Sequence, residues 1–486
     1  MDLITTNNTK KSQRTQKISS FCATCDTPTS GGFVKLLGNK SHHQIMKKLL
    51  LLLFIFFVIE GNAQNKLSFN NVDKNTYDYY NSGDWQSLIL IGEEAIKNNI
   101  DYYYLNYRMG VANYMMKNYL LSLHYFEKAI YQNNTGLDDT ILVRLLMQDY
   151  IFTNNYTKAE YLKEYHPDSE IRTMVFTKKL SQIYLEGGIS ITDNITQKVF
   201  EERKFYTFKQ IDQFRTMKYV NADIQGYIKQ NLSYQFAFSG LQIDRYKFFK
   251  DFQDTLEQNY TINQSYIYGG INYSLGNFYI NPAINLPGYL SNELSIIGQD
   301  SITLRNIYDT VKVNKRNLVG GLRFGMKYKR MQVGIIASYS NLKNNSQYQL
   351  GAEFIYFPNG NLNAYMSTNL VGKWENGASY LILRQKFGMQ FTPYMWGEMR
   401  LMLGDLKNFN ADNGYYVYNT YDDLESIIDI NLIFIVNKHI EFNFVFQHLL
   451  KENYLYSYPN AFNTKLETTN YYFQQINLIG GIKWKF

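Results

Sequence analysis

The chain has 486 residues, enough for two or three domains, with 49 basic and 42 acidic side chains giving a formal charge of +7. So mild an excess points away from nucleic acid, and six histidines and two cysteines leave little for a metal centre or a disulfide framework. Forty-four tyrosines and a negative mean hydropathy exclude a bundle of membrane helices and fit a wall that is wet on one side.

Residues 1–45 have no periodicity and are rich in Ser, Thr, Asn and Lys. Met46-Lys47-Lys48 then opens an apolar run, Leu49 to Ile59, followed by the small residues Gly61 and Ala63. A charged start, a core too short to span a bilayer and small residues before a cut describe a secretory signal peptide over 46–63. Translation is therefore expected to begin at Met46, with 1–45 a non-native, disordered upstream extension. Cys22-Ala23-Thr24-Cys25 is half of a zinc motif, and no second ligand pair follows at suitable spacing. Neither a metal nor another cofactor is expected, and cleavage after Ala63 removes both cysteines.

Over 67–186 the apolar residues fall at three- and four-residue spacing, and a pattern recurs. Asp84-Trp85 is followed by Ala95, and 34 residues later Asn118-Tyr119 is followed by Ala129. That is the tetratricopeptide period. Gly110, Ser122 and Phe126 fill the small and large packing positions of the second unit, and Asn155-Tyr156 with Ala159 marks a third. Stacked helix pairs of this kind form a periplasmic surface for a protein or peptide partner, with Trp85, Tyr119, Phe126 and Tyr156 as packing between helices. A last helix is expected over Asp168 to Leu185, capped by Asp168 or Ser169.

From about Leu185 onward the period changes to two, the period of a strand. Ile440, Phe442, Phe444 and Phe446 fall on one face and Glu441, Asn443 and Gln447 on the other; Leu322, Phe324, Met326 and Tyr328 likewise oppose Arg323 and Lys327. Large apolar side chains occupy one face throughout, while charge, amide, hydroxyl and glycine share the other. This is the pattern of a transmembrane barrel with lipid outside and water inside. Fourteen such stretches are predicted: 185–194, 216–228, 231–246, 257–275, 277–290, 315–328, 331–343, 346–357, 361–373, 377–390, 393–406, 425–436, 439–450 and 470–486. The fold class is thus an α-helical solenoid (67–186) followed by an antiparallel barrel of about 14 strands (187–486).

Tight turns near 229–230, 276, 329–330, 358–360, 391–392 and 437–438 alternate with long connections at 195–215, 247–256, 291–314, 407–424 and 451–469. Short turns are periplasmic in bacterial barrels, so both barrel ends and the helices fall on the periplasmic side. Pro282 and Pro287 each remove a ladder donor, so the strand holding them is expected to end early. Trp374 and Trp484 should sit near opposite ends of their strands, as interface anchors do.

The inward set is Asp223, Arg323, Lys327, Glu353, Arg384, Lys386, Glu398, Arg400, Asp429 and Glu441. Mixed signs suit either a plug of opposed charges or a polar pore. His439 and His448, the only histidines in the barrel region, have no serine motif or carboxylate pair beside them, so an enzyme is not expected.

The segment Ile476 to Phe486, with Leu478, Ile482, Trp484 and Phe486 on one face, resembles the C-terminal signal that outer-membrane barrels present to the barrel-assembly machinery. The whole order of elements resembles outer-membrane proteins of the Bacteroidetes type and is similar to YaiO-like barrels and exopolysaccharide-export porins. That resemblance implies an outer-membrane location with lipid around the barrel, and a channel or export porin for a polar solute or polysaccharide. Its repeats would dock a periplasmic partner, and no nucleic acid is involved. The other reading is a non-conducting, membrane-anchored interaction or assembly scaffold.

Overall fold

The computed structural model describes residues 67–132, 139–165, 177–192, 208–251, 254–299, 306–458 and 467–486. The expected signal peptide, the upstream segment, Cys22 and Cys25 lie outside them. Six helices form three consecutive pairs among the described residues: α1 (Phe69–Ser82) with α2 (Trp85–Lys97), α3 (Tyr103–Met115) with α4 (Tyr119–Gln132), and α5 (Thr140–Phe152) with α6 (Tyr156–Tyr165).

The 34-residue recurrence is a recurrence of helix starts. Asp84 caps α2 by accepting from Ser87 N at 3.2 Å. The Asn118 and Asn155 carbonyls accept the first intrahelical bonds of α4 and α6, from Ser122 N and Ala159 N, which places both residues at the position that Asp84 holds in α2. Ala95, Phe126 and Ala129 are fully buried. Gly110 lies against the Phe126 ring, which a Cβ there would meet at 2.4 Å, and the Ser122 hydroxyl donates to Gly110 O at 2.9 Å. Trp85 packs edge-on to Tyr80, Tyr119 packs on Phe152, and the Tyr156 hydroxyl donates to Asn154 Oδ1.

The barrel is built from β1 (Gln182–Thr192), β2 (Phe208–Lys229), β3 (Leu232–Asp251), β4 (Asp254–Leu275), β5 (Phe278–Gln299), β6 (Asn306–Arg316), β7 (Val319–Tyr328), β8 (Met331–Ser340), β9 (Gln347–Tyr356), β10 (Ala364–Glu375), β11 (Ala378–Thr392), β12 (Met395–Leu403), β15 (Asp423–Ile435), β16 (Ile440–Tyr458) and β17 (Glu467–Lys485). Two short strands, β13 (Asn410–Ala411) and β14 (Tyr416–Val417), pair only with each other. All pairings are antiparallel. β1 pairs with β17, and β4 with β5, which closes the sheet on itself. β6 and β7 both lie along β5 as halves of one wall strand, so the closed barrel has 14 wall strands.

The predicted early end at the prolines does not occur, because β5 runs through both. Pro282 faces β4, where the ladder is interrupted opposite Ile271, and the Asn281 amide donates to the Ile271 carbonyl instead, at 2.6 Å. Pro287 faces the other neighbour. Asn317 N donates to Pro287 O at 2.8 Å, but Pro287 has no N–H to return, and there the wall strand divides into β6 and β7. Of the helix expected over Asp168 to Leu185, residues 168–176 lie outside the described residues and the rest is corrected. Residues 177–181 are not helical, and β1 begins at Gln182, because Lys178 O and Ser181 N already pair with Tyr227 N and Gln225 O of β2. Most of the expected long loops prove to be strand: β2, β4 and β5 each run 22 residues against 9 in β12. At about 3.3 Å per residue, one side of the wall rises far above the other.

The helices sit at the rim carrying the tight turns. Leu120 N donates to Gly360 O at 2.8 Å, Thr157 Oγ1 to Gln230 O at 2.9 Å and Lys158 Nζ to Asn277 Oδ1 at 2.7 Å, while His124 packs edge-on to Tyr328. Second helices α4 and α6 thus grip three of the turns.

Asp149 of α5 is fully buried, and neither carboxylate oxygen has a hydrogen-bond partner, the nearby Ser122 hydroxyl being committed to Gly110 O. Burial without a cation raises its pKa from 3.8 to about 8. The unfolded chain ionises first, so this residue's contribution is fully favourable below about pH 4 and is lost as pH rises towards 8. Asp149→Asn is therefore expected to raise the thermal midpoint of the helical signal at pH 8 and to leave it nearly unchanged at pH 4, as measured by circular dichroism.

Candidate functional site

The barrel wall sorts its side chains by chemistry. On β16, Phe442, Phe444 and Phe446 are 40, 58 and 44% exposed on the outside, while Glu441, Asn443 and Gln447 are no more than 9% exposed within. The same sorting holds on β7, β11 and β17, where Leu322, Phe324, Phe387, Leu478 and Ile482 face outward. Trp374 lies at the far end of β10 and Trp484 at the helix-side end of β17, stacked on His439. Phe486 continues past β17, its N–H bonded to Ser181 O.

The interior is not empty. Residues 404–422, the end of an expected strand (393–406) and most of the outer loop expected at 407–424, turn back into the lumen and meet the inner wall on nearly every side. Arg245 of β3 bonds Asp422, Gln264 of β4 bonds Asn419 O, Asn285 of β5 bonds Gly414 O, and Lys373 of β10 bonds Lys407 O. At the tip, Asp412 is held by Arg384 through both oxygens, Nη2 to Oδ2 at 2.7 Å, with Arg400 Nη1 at 3.9 Å. Asn413 Nδ2 donates to Asn281 O and Oδ1 at 2.7 and 2.8 Å. Leu406, Phe409 and Ala411 are buried against inward-facing Val371, Ile382, Met402, Ile427 and Leu449. This inserted segment is a plug.

Its tip is strained. Asp412, Asn413 and Gly414 follow one another at φ 48°, 59° and 83°, a region that Asp and Asn enter at less than the roughly 1–2 kcal/mol other non-glycine residues would cost. The contacts just named hold them there.

One end of the plug is fixed by a buried charge network. Arg245, 1% exposed, lies between Asp212 (2.7 Å) and Asp422 (2.8 Å), with its guanidinium 4.2 Å from the Tyr421 ring centre. The Tyr260 hydroxyl donates to Asp212 at 2.6 Å, and Asn453 Nδ2 to Asp422 at 2.8 Å. Every oxygen of the two carboxylates is engaged, and loss of Asp422 would leave Arg245 with Asp212 as its one carboxylate partner while unfastening this end of the plug.

Two cavities lie on either side of the tip. The larger, about 1120 Å³, is towards the far rim; eleven of its lining residues are tyrosines, and eight basic side chains stand among ten acidic ones. The smaller, about 310 Å³, is towards the helices and reaches Gln182, Asp223, Gln235, Glu441 and Lys483. Both are bounded by Tyr184, Tyr415 and Tyr416. Tyr415 and Tyr416 pack edge to face at 4.8 Å and stand between the two.

The residues expected in the lumen are placed as follows. Asp223 accepts from Gln225 and Gln235; Arg323 pairs with Glu353 at 3.2 Å; Lys386 pairs with Glu398 at 3.0 Å; Arg400 Nε bonds Asp429 at 2.7 Å; Glu441 pairs with Lys483 and Lys485. Lys327 is on the same face of β7, at its exposed helix-side end. His439 bonds Lys485 O and His448 bonds Gln474. Sequence reasoning missed Asp212, Arg245, Asp412, Tyr415, Tyr416 and Asp422. A signal was present in the runs Leu381-Ile382-Leu383, Ile427-Ile428 and Leu449-Leu450, where both faces of a strand are apolar and something dry must lie inside.

A closed, even-stranded antiparallel ladder with an apolar exterior and a polar interior is the outer-membrane β-barrel fold. No protein-family model matches the sequence, and no curated protein matches it. Among solved structures it is similar to the toluene transporter TodX of P. putida (9% identity, TM-score 0.40, 64% of this chain and 91% of that one) and to a Pseudomonas aeruginosa FadL homologue (8%, 0.41, 64% and 90%). The outer membrane protein Omp33 of Acinetobacter baumannii is similar at 7% identity, TM-score 0.30, 64% of this chain and all of that one. At these scores the likeness carries no functional inference, and the fold rests on the ladder itself.

A Cβ at Gly321 would lie 2.6 Å from Asn413 Oδ1 and 2.7 Å from its carbonyl oxygen. Gly321→Ala is expected to push the tip away while the barrel stays folded. With buried Ala411→Cys as reporter in the chain from Gln64 onward, labelling by a membrane-impermeant maleimide should speed up at least fivefold.

Proposed function

We propose that this chain is an outer-membrane channel or export porin for a polar solute or polysaccharide, with its helices in the periplasm. The observation that carries the reading is the pair of polar cavities in series, meeting at Tyr415 and Tyr416 inside a wall that is apolar outside. A chamber rich in tyrosine, amide and mutually paired charge suits a hydroxylated solute, since rings stack on tyrosine faces and hydroxyl groups replace water at the amides. The periplasmic side follows from the short turns, to which the helices are bound.

We further propose that the helix pairs are tetratricopeptide-like and dock a periplasmic protein or peptide. Their barrel contacts come from α4 and α6, while Tyr77 of α1 and Tyr104 of α3 are 52 and 60% exposed on either side of the Arg108 guanidinium. Leu478, Ile482, Trp484 and Phe486 are the surface offered to the barrel-assembly machinery.

The plug's many bonds favour a second reading, a barrel that never conducts and only anchors the helices. Replacing residues 406–421 by a short Gly-Ser linker separates the two. A channel predicts large, stable conductance steps from this variant in planar bilayers and small or rare steps from the intact chain. A variant barrel that is folded by its heat-modifiable gel mobility yet silent would leave the scaffold reading standing.

A further inference from the structure

Every inward-facing arginine at the level of the tip has a carboxylate partner, but one partner belongs to the plug and not to the wall. Arg323 is held by Glu353 and Arg400 by Asp429, both wall residues. Arg384 is held by Asp412 of the tip, in the parallel two-bond arrangement that a guanidinium makes with a carboxylate. Arg384 is 8% exposed and Arg400 lies against the same Asp412 oxygen at 3.9 Å. If the tip withdraws, a buried guanidinium loses its counter-charge, and an anion arriving from the chamber can restore it.

The two arginines open onto that chamber: Arg384, Arg400, Asp412 and Tyr416 all line the larger cavity. Tyr416 lies 5.6 Å from the Arg400 guanidinium and supplies a ring face beside the charge. The tip, meanwhile, holds three consecutive residues in left-handed backbone and is fastened to the wall by Arg384, Asn281 and Asn285. The first of these is the tip's charged fastening, the other two being neutral amide bonds.

We propose that Arg384 and Arg400 form a binding site for the carboxylate of a passing polar solute, and that Asp412 is a built-in surrogate for it. The solute's carboxylate exchanges with that of Asp412, the strained tip is released, and the passage between the two cavities opens. The proposal rests on the channel reading and names its solute class as carboxylate-bearing, such as an acidic sugar.

The test uses the chain from Gln64 onward in planar bilayers, with sodium D-glucuronate and D-glucose as probes. Glucuronate should raise the open probability of the native protein at least fivefold, and glucose should leave it unchanged. Asp412→Asn and Arg384→Gln break the same contact and should both open spontaneously, and Arg384→Gln should show no further response to glucuronate. Maleimide labelling of Ala411→Cys, buried in the plug beside the tip, gives a second readout, since glucuronate should accelerate it and glucose should not. Equal effects of the two sugars, or no effect of glucuronate on either readout while the plug-deleted form conducts, overturn the site. Silence of the plug-deleted form overturns the channel reading instead, so the two failures are distinct.

Discussion

A backbone in lipid has no water to bond, so every N–H and C=O at that depth must find its partner within the wall. The barrel's architecture follows from that constraint. The sheet cannot have an edge, hence the closures of β1 on β17 and of β4 on β5. It must also manage the two prolines of β5. At Pro282 the neighbouring Asn281 amide supplies the missing donor, and at Pro287 the ladder is allowed to break where the wall strand divides. Closure then fixes the side-chain pattern, since strand residues point alternately to lipid and lumen.

Within the lumen a second constraint takes over. Charge facing inward is tolerable where it is hydrated or paired, and here most of it is paired within the wall or with the plug. The plug therefore does two things. It excludes water from an apolar patch around Ile382, Met402 and Ile427, and it supplies Asp412 to Arg384 and a second carboxylate, Asp422, to Arg245. The two attachments differ in kind. Asp422 joins a network saturated by Asp212, Tyr260 and Asn453, as befits a fixed hinge, whereas Asp412 rests on strained backbone, as befits a part that moves.

The wall was legible in the sequence because period two is a local property. Alternations such as Phe442, Glu441 and Asn443 need no tertiary knowledge, and the count of 14 strands follows from them. The helix starts at Asp84, Asn118 and Asn155 were legible for the same reason. Strand ends at the far rim were not, since alternation persists above the membrane with tyrosine in place of aliphatic residues, and sequence alone does not mark where lipid stops. The plug was hidden because its partners lie far away along the chain, Asp422 to Arg245 and Asn413 to Asn281. Its only local trace is a set of strands apolar on both faces.

The central claim is that lipid bathes one face of each strand and water the other. Nitroxide scanning of residues 441–447 in β16, in lipid bilayers, tests it most directly. The account predicts that labels at 442, 444 and 446 respond mainly to oxygen and those at 441, 443 and 447 mainly to a water-soluble nickel chelate, in strict alternation. Uniform accessibility along the strand, or the opposite phase, would contradict it.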